Sequence, residues 1–314
     1  MHFYRIAGKW ACLQVAGFLS LLLLPAVLKA QEPSFAVNTE LNASSAISFA
    51  QHLITIKNYN ECATYIDQLL MNDAMHFSSA QKDSLYFYQG FSFFRNIDMD
   101  SALLFWQKVP LRANEPISIN THFHSAAIYY KKQNWEAYHK ELLQLKAEGL
   151  QGNDLELWKL YAACEAVMEQ NPKKFDSLFV TINLDQFVLK QECTDIKIAA
   201  NRLLHPKKRN GATAALLSTV IPGSGKLYAG YSGAALGAFI TNAIIGGVAA
   251  ENYFKSGLKS PNFIAAAGLF AIFYSGNIIG SLYSVKNKAN ENKKYYRSIM
   301  VFNMYGALER VYPE

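Results

Sequence analysis

Residues 217–231 read LSTVIPGSGKLYAGY, and this stretch decides how the C-terminal third of the 314-residue chain folds. Two long runs without a charged residue follow it, with 24 residues between Lys226 and Glu251 and 26 between Lys259 and Lys286. At about 1.5 Å per residue, each run can form a helix that crosses a hydrocarbon core roughly 30 Å thick. The sequence therefore predicts a transmembrane helical hairpin.

The quoted stretch itself interrupts the helical pattern. Sixteen uncharged residues follow Arg209, but Pro222 and Gly223 divide them, so we expect a short interfacial or re-entrant helix before the hairpin. The glycines permit a sharp turn at the bilayer surface. Tyr228 and Tyr231 suit the aromatic belt of a membrane interface.

The same stretch carries the pattern Pro-Gly-x-Gly-x-x-Tyr-x-Gly, at Pro222, Gly223, Gly225, Tyr228 and Gly230. It resembles the signature of small bacterial membrane domains of the DUF5683 and TM2 type, in which Gln usually stands where this chain has Lys226. The resemblance covers about residues 211–285. It implies a short helix, a glycine turn and a helical hairpin in the inner membrane, and no established chemistry. In similar bacterial chains such domains follow export signals and helical repeats, sometimes in envelope or membrane-protein-insertion settings.

A phosphate-binding loop is excluded at this stretch. Gly223-Ser224-Gly225-Lys226 matches the end of that motif, which also needs a glycine five residues before Gly225 and Ser or Thr after the lysine. Val220 and Leu227 stand there instead.

Small and polar residues within the two apolar runs predict how the hairpin packs. Glycines recur at four-residue spacing in both runs, a pattern that lets helix backbones approach closely; they are Gly233, Gly237, Gly276 and Gly280. Asn242 and Asn277 are polar groups that need partners at membrane depth. We expect a hydrogen bond between the helices, with a transport pathway as the alternative.

The N-terminus has the features of an export signal. Arg5 and Lys9 precede an uncharged stretch that ends at Leu28, and Ala30 offers a cleavage site after residue 30. Leu28 is large for the position three residues before the cut, so an uncleaved anchor is the alternative. Either way, residues from Gln31 onward should be exported.

Residues 31–205 show paired helical periodicity. From Gly90, an aromatic follows at Phe93, a small residue at Ala102 and a second aromatic at Trp106, which resembles the tetratricopeptide repeat. Similar units place their anchors at Ala63, Ala102, Ala137 and Phe175, which are 39, 35 and 38 residues apart. Arrays of such hairpins bury a core between neighbours and leave a concave surface that binds segments of other proteins.

No catalytic or metal-binding pattern stands out. His122 and His124 are two residues apart on a predicted helix, so they point to different faces, and no carboxylate lies near them in sequence. The three cysteines after the signal, Cys62, Cys164 and Cys193, match no metal-site spacing and read as buried small hydrophobes. We therefore predict no enzyme activity, no cofactor and no metal.

Charge is divided unevenly along the chain. Residues 206–314 hold twelve Lys/Arg and four Glu, a balance of +8, whereas residues 31–205 come to about −5. The basic residues flank apolar runs, which indicates lipid headgroups rather than nucleic acid. By the positive-inside rule these flanks are cytoplasmic, whereas the export signal places residues 31–205 in the periplasm. We expect the periplasmic placement, with either two crossings or a third short one at 211–225.

These features predict an all-α protein with four parts: a signal (1–30), a tetratricopeptide-like domain (31–205), a membrane domain (206–286) and a basic aromatic tail (287–314). The tail fits an amphipathic helix on the membrane surface or a packed terminal helix. We expect an inner-membrane scaffold that binds protein partners and lipid. The alternatives are a small membrane enzyme or transporter component that uses Lys226, Asn242 and Asn277, or a membrane domain that serves only as an anchor.

Overall fold

The computed structural model describes residues 42–72, 76–112, 115–183 and 189–313, and all regular secondary structure in these ranges is helical. The all-α prediction is confirmed for them. The predicted export signal lies outside the described residues.

Thirteen helices follow one another in the described ranges. They are α1 (Ala43–Thr55), α2 (Tyr59–Met71), α3 (Ser79–Arg95), α4 (Met99–Trp106), α5 (Pro116–Lys132), α6 (Trp135–Ala147), α7 (Gly152–Met168), α8 (Pro172–Phe179), α9 (Lys190–Leu204), α10 (Gly211–Val220), α11 (Ser224–Ala229), α12 (Ser232–Ser256) and α13 (Pro261–Val311).

Helices α1–α8 pair into four hairpins whose tight turns are built alike. Each turn places one non-glycine residue in the left-handed backbone region; these residues are Lys57, Ile97, Gln133 and Gln170. The next residue is Asn or Asp, and in three of the turns its side chain accepts a hydrogen bond from the third N–H of the following helix; the three are Asp98, Asn134 and Asn171. Short polar side chains satisfy helix N-termini in this way, so the turns stop and restart the helix within three residues.

The hairpin of α3 and α4 closes around the small residue that the sequence singles out. A Cβ added to Gly90 would lie 2.4 Å from Nε1 of Trp106, so the glycine makes room for the indole ring. That ring is buried, and its N–H donates to the carbonyl of Phe87 at 3.1 Å. Ala102 is buried beside it, and the partly buried Phe93 stacks on Phe105.

The predicted anchors of the other hairpins differ in burial. Ala63 and Phe175 are buried. Ala137 is only partly buried, and the neighbouring Tyr138 fills the interior with its hydroxyl donating to the carbonyl of Tyr161. A one-residue shift of this kind arises because helical spacing locates a face without choosing its central residue.

The nine helices α1–α9, which we call the helical array, hold two hydrophobic cores. One core joins α1–α4 and Ile128, and the other joins α5–α9 to the C-terminal part of α13. Met300, Met304, Ala307 and Leu308 of α13 are all completely buried in this second core. The predicted tail is therefore a packed terminal helix, and residue 286 lies within one unbroken helix.

Helix α13 is also half of an apolar pair. Its 51 residues extend about 76 Å at 1.5 Å per residue, and its first part lies against α12. We call α12 and residues 261–285 of α13 the apolar helix pair. Both helices are long and apolar enough to cross a membrane, and only 17% and 11% of their most apolar windows are buried. Side chains so apolar and so exposed differ from those of a soluble core helix.

Candidate functional site

Helices α10 and α11 form a hairpin that enters and leaves the apolar helix pair at the same end. A Cβ on Gly211, where α10 begins, would lie 2.8 Å from the carbonyl oxygen of Leu282, and near the end of α10 the carbonyl of Thr219 accepts from the Tyr274 hydroxyl at 2.5 Å. After α11, Gly230 lies beside Lys288. The chain therefore runs along α13 from the level of Leu282 to that of Tyr274 and then returns to the level of Lys288. We call α10 and α11 the re-entrant hairpin.

Two glycines of the predicted motif make the tip of this hairpin. Gly223 has a φ of +88°, and a Cβ there would lie 2.2 Å from the carbonyl oxygen of Ala235 in α12. A Cβ on Gly225 would lie 1.9 Å from the carbonyl oxygen of Ala214 in α10. Neither position has room for a side chain, and the first also needs a left-handed backbone.

The rest of the motif lies at the mouth of the re-entrant hairpin. The Arg209 guanidinium lies over the Tyr228 ring at 5.8 Å, and a Cβ on Gly230, whose φ is +99°, would lie 3.0 Å from the same guanidinium. Lys288 lies over the Tyr231 ring at 4.9 Å. Pro222 is partly buried at the opposite end, where the hairpin turns. The basic residues that precede and follow the apolar helix pair, Arg209 and Lys288, therefore lie at the same end of the pair.

A buried hydroxyl pair joins the re-entrant hairpin to α13. The hydroxyls of Ser218 and Ser281 lie 2.7 Å apart, and the backbone N–H of Gly225 donates to Ser218 Oγ at 3.0 Å. Both serines are completely buried. Single serines in a small-residue segment carry no periodic signal, so the sequence alone does not predict this contact.

Next to this contact, α11, α12 and α13 line an open cavity of about 390 Å³, which we call the polar cavity after the polar side chains in its wall. Its polar lining consists of Lys226, Thr241, Asn242 and Asn277. The two asparagines are 3% and 4% exposed. The structure thus brings together the three polar residues that the sequence placed in separate segments.

The hydrogen bond between the helices that we expect from the asparagines does not form at either of them among the described residues. Asn242 donates to the carbonyl of Ala238 in its own helix at 2.8 Å, which leaves its side-chain oxygen without a partner, and neither amide atom of Asn277 has a partner among the described residues. Lys226 likewise has no ion pair there. Buried polar groups without partners are costly, so this unused capacity points to a polar occupant or water.

The prediction that spaced glycines pack the two long helices together is wrong within the chain. Apart from the backbone of its own helix, no atom of the described residues lies within 4 Å of a Cβ built on Gly233, Gly237 or Gly276, and Gly280 faces the Lys226 side chain of α11 instead of α12. The re-entrant hairpin occupies the face of α13 on which Gly280 lies. The glycine of α12 that does meet α13 is Gly246, against the ring of Phe270.

The face of the array formed by α5, α7 and α9 is occupied by α13. Tyr130 donates to Met300 Sδ at 3.4 Å, and Tyr161 donates to the carbonyl of Met304 at 3.2 Å. Two ion pairs lie near the C-terminal end of this contact, Arg95 with Glu309 at 2.9 Å and Arg310 with Glu192 at 2.6 Å. We call this face the inner face. The chain fills it with its own C-terminal helix.

His124 and His122 have different environments. His124 lies among the rings of Phe91, Phe94 and Trp106, with centroids 5.1–5.7 Å away, and contacts Asn120 through Nδ1. Burial there lowers the pKa of His124 to about 4. His122 Nδ1 lies 2.6 Å from a carboxylate oxygen of Glu141, a contact that sequence separation hid.

The described ranges contain no candidate metal site. No group of three His, Cys, Asp or Glu side chains there has the arrangement of a metal site. Cys62, Cys164 and Cys193 are all buried, and burial raises the pKa of Cys193 to about 12. These thiols pack as small hydrophobes.

Comparisons with known proteins add no relative. No family model matches the chain, and neither a curated protein nor a solved structure matches it. The tetratricopeptide and DUF5683 resemblances therefore remain predictions.

We predict that His124 makes the protein less stable in mild acid. The unfolded histidine titrates near pH 6.5 and the buried one near 4, so the unfolded state binds the extra proton between these values. The free energy of unfolding should fall by up to about 3 kcal/mol as pH drops through this window. Urea unfolding of the wild type and His124→Gln over this range isolates the effect. Equal pH slopes in the two proteins would contradict it.

Proposed function

We propose that this protein is a membrane-anchored helical scaffold of the bacterial cell envelope, with the apolar helix pair in the inner membrane. The proposal is supported by the length and exposure of the pair and by the aromatic and basic residues at one end of it. The resemblance of residues 211–285 to DUF5683-type domains points the same way.

The continuity of α13 carries this proposal. The same helix contributes an exposed apolar half to the pair and a buried half to the array, with no break between them. A flexible linker would let the array change its distance and orientation relative to the bilayer. A helix that is packed at both ends instead holds the array in one position above the bilayer. This is the mechanical property that a scaffold needs.

We place the partner site on the outer face of the array. This face comprises the exposed apolar side chains of the second helix of each hairpin, such as Leu104 in α4 and Leu143 in α6. The inner face is already filled by α13, so an external segment would have to displace the buried Met300 and Met304 to bind there. Exposed apolar side chains on a helical array are typical of protein interaction surfaces.

In our proposal, the export signal determines on which side of the membrane the array lies. With two crossings, the array and both basic flanks share one side, since the re-entrant hairpin returns to the end at which it entered. A signal that exports residues from 31 onward places that side in the periplasm. The basic flanks then run against the positive-inside rule, which the export signal overrides here.

Cysteine labelling tests this topology. We expect Asn153→Cys in the array and Asn292→Cys in α13, both exposed, to react equally with an impermeant maleimide in intact spheroplasts. The parent chain is the control, because its described cysteines are buried. Protection of both sites until lysis would overturn the periplasmic placement, and opposite labelling of the two would overturn the two-crossing arrangement.

Partner binding is tested by charging the outer face. Leu143→Glu should abolish recovery of a crosslinked partner from detergent-solubilised membranes, because a carboxylate opposes an apolar contact. Ile198→Glu is the matched control, since Ile198 in α9 is equally exposed at 54%. The proposal fails if wild type recovers no reproducible partner or if the two variants behave alike.

The polar cavity supports a second candidate function, that of a small membrane enzyme or transporter component. Lys226 and the two unpartnered asparagines provide the polar contacts that such a role requires. Asn277→Leu should then reproduce the phenotype of a gene deletion while the protein still inserts at normal levels. Ser275→Ala, at an exposed position of the same helix, should complement fully. Full complementation by Asn277→Leu would exclude this role.

A further inference from the structure

A second cavity, of about 310 Å³, lies where the array meets α13 beyond the apolar helix pair. Its walls come from the ends of α7 and α9 and from residues 289–297 of α13. Five basic side chains line it: Arg202, His205, Lys207, Lys293 and Arg297. We call it the basic cavity. Its volume is at the lower end of the roughly 300–1,000 Å³ typical of small-molecule sites.

The basic cavity has positive charge and no counter-charge of its own. No Asp or Glu lines it, so its two arginines and two lysines give it a formal charge of +4 with the histidine neutral. Arg297 is held by Gln133, to whose side-chain oxygen it donates at 2.7 Å, and by the Trp135 ring. The other three cations have no ion pair within the described residues.

Some basic residues elsewhere in the array are paired with a carboxylate. Arg95 pairs with Glu309, Lys174 with Glu169 at 2.9 Å, and Arg112 with Asp83. Exposed lysines such as Lys57, Lys82 and Lys140 have no ion pair within the described residues, so the basic cavity is set apart by having several cations around one cavity. Like charges brought together repel, and an anion in the cavity would replace this repulsion with attraction.

The position of the basic cavity matches the level of lipid headgroups. The uncharged run of α13 ends at Lys286, and Ala289 and Arg297 at the cavity lie about 4.5 Å and about 16.5 Å further along the helix. Headgroups occupy about 5–7 Å beyond the hydrocarbon core on each side. The lower rim thus reaches the headgroup layer, and the upper part faces water.

We propose that the basic cavity binds a phosphate-bearing anion, with Arg202, Lys207 and Lys293 holding the phosphate oxygens. Arginine and lysine are the side chains that bind phosphate best, through charge-assisted hydrogen bonds. The partly apolar wall, with Val167, Met168 and Leu203, fits a small organic substituent on the phosphate. This site goes beyond the scaffold proposal and does not depend on a protein partner.

Binding would join the array to the membrane-proximal part of α13. Arg202 and Lys207 belong to the end of α9 and the segment after it, whereas Lys293 belongs to α13. One anion between them replaces repulsion with attraction across this junction. The ligand therefore stabilises the position of the array against α13.

Titration of the full chain in an uncharged detergent tests the proposal with three probes: dioctanoyl phosphatidylglycerol, dioctanoyl phosphatidylcholine and glycerol 3-phosphate. We expect the anionic probes to bind and to raise the unfolding temperature. The variant Arg202→Gln/Lys207→Gln/Lys293→Gln should bind on the order of 100-fold more weakly, since each juxtamembrane cation contributes about a factor of five. The control is Lys57→Gln/Lys82→Gln/Lys140→Gln, which removes the same charge from exposed array positions.

The outcomes separate the two sources of phosphate. Tighter binding of phosphatidylglycerol than of glycerol 3-phosphate identifies a lipid headgroup, and equal binding identifies a soluble phosphate compound. The proposal is overturned if phosphatidylcholine binds as tightly as phosphatidylglycerol, if no anionic probe binds, or if the triple variant binds like its control. Should the triple variant not fold, wild-type affinity must fall between about 50 and about 500 mM salt, and salt-independent binding overturns the proposal equally.

Discussion

The burial of one face of α13 in the helical array is the contact on which the rest of the structure depends. Met300, Met304, Ala307 and Leu308 have no exposed surface, and hydroxyls of the array bond to the same stretch of helix. Burial of a large apolar side chain stabilises a fold by about 1.5–3 kcal/mol. Because the same helix continues into the apolar helix pair, this contact also fixes the position of the array relative to that pair.

Such an arrangement changes what the array can do. A stack of helical hairpins with an open inner face receives extended or helical segments from other proteins. Here the second core includes the occupant, so removing α13 would expose apolar surface that the array buries in its folded state. The inner face holds α13, and in the proposed scaffold role a partner would bind the surfaces turned away from α13.

The re-entrant hairpin imposes a second constraint, which is steric. Gly223 and Gly225 sit against backbone carbonyls at distances that no side chain allows. This close approach brings Lys226 next to α12 and α13 and so creates the polar cavity. The glycines of the motif and the unpartnered asparagines are therefore parts of one local structure, although they lie in separate helices.

The sequence by itself determined the helical class, the two long apolar runs, the turn at Pro222 and Gly223, and the helical hairpin that carries Gly90 and Trp106. These features depend on charge, periodicity and backbone freedom over a few residues, which local sequence encodes directly. Only the tertiary structure decided that α13 fills the inner face, that Gly233, Gly237 and Gly276 meet no other helix among the described residues, and that Lys226 joins Asn242 and Asn277. Contacts such as Tyr130 with Met300, 170 residues apart, depend on the path of the whole chain. A helical pattern shows that a face is apolar, but which surface covers that face is chosen by packing among all the helices at once.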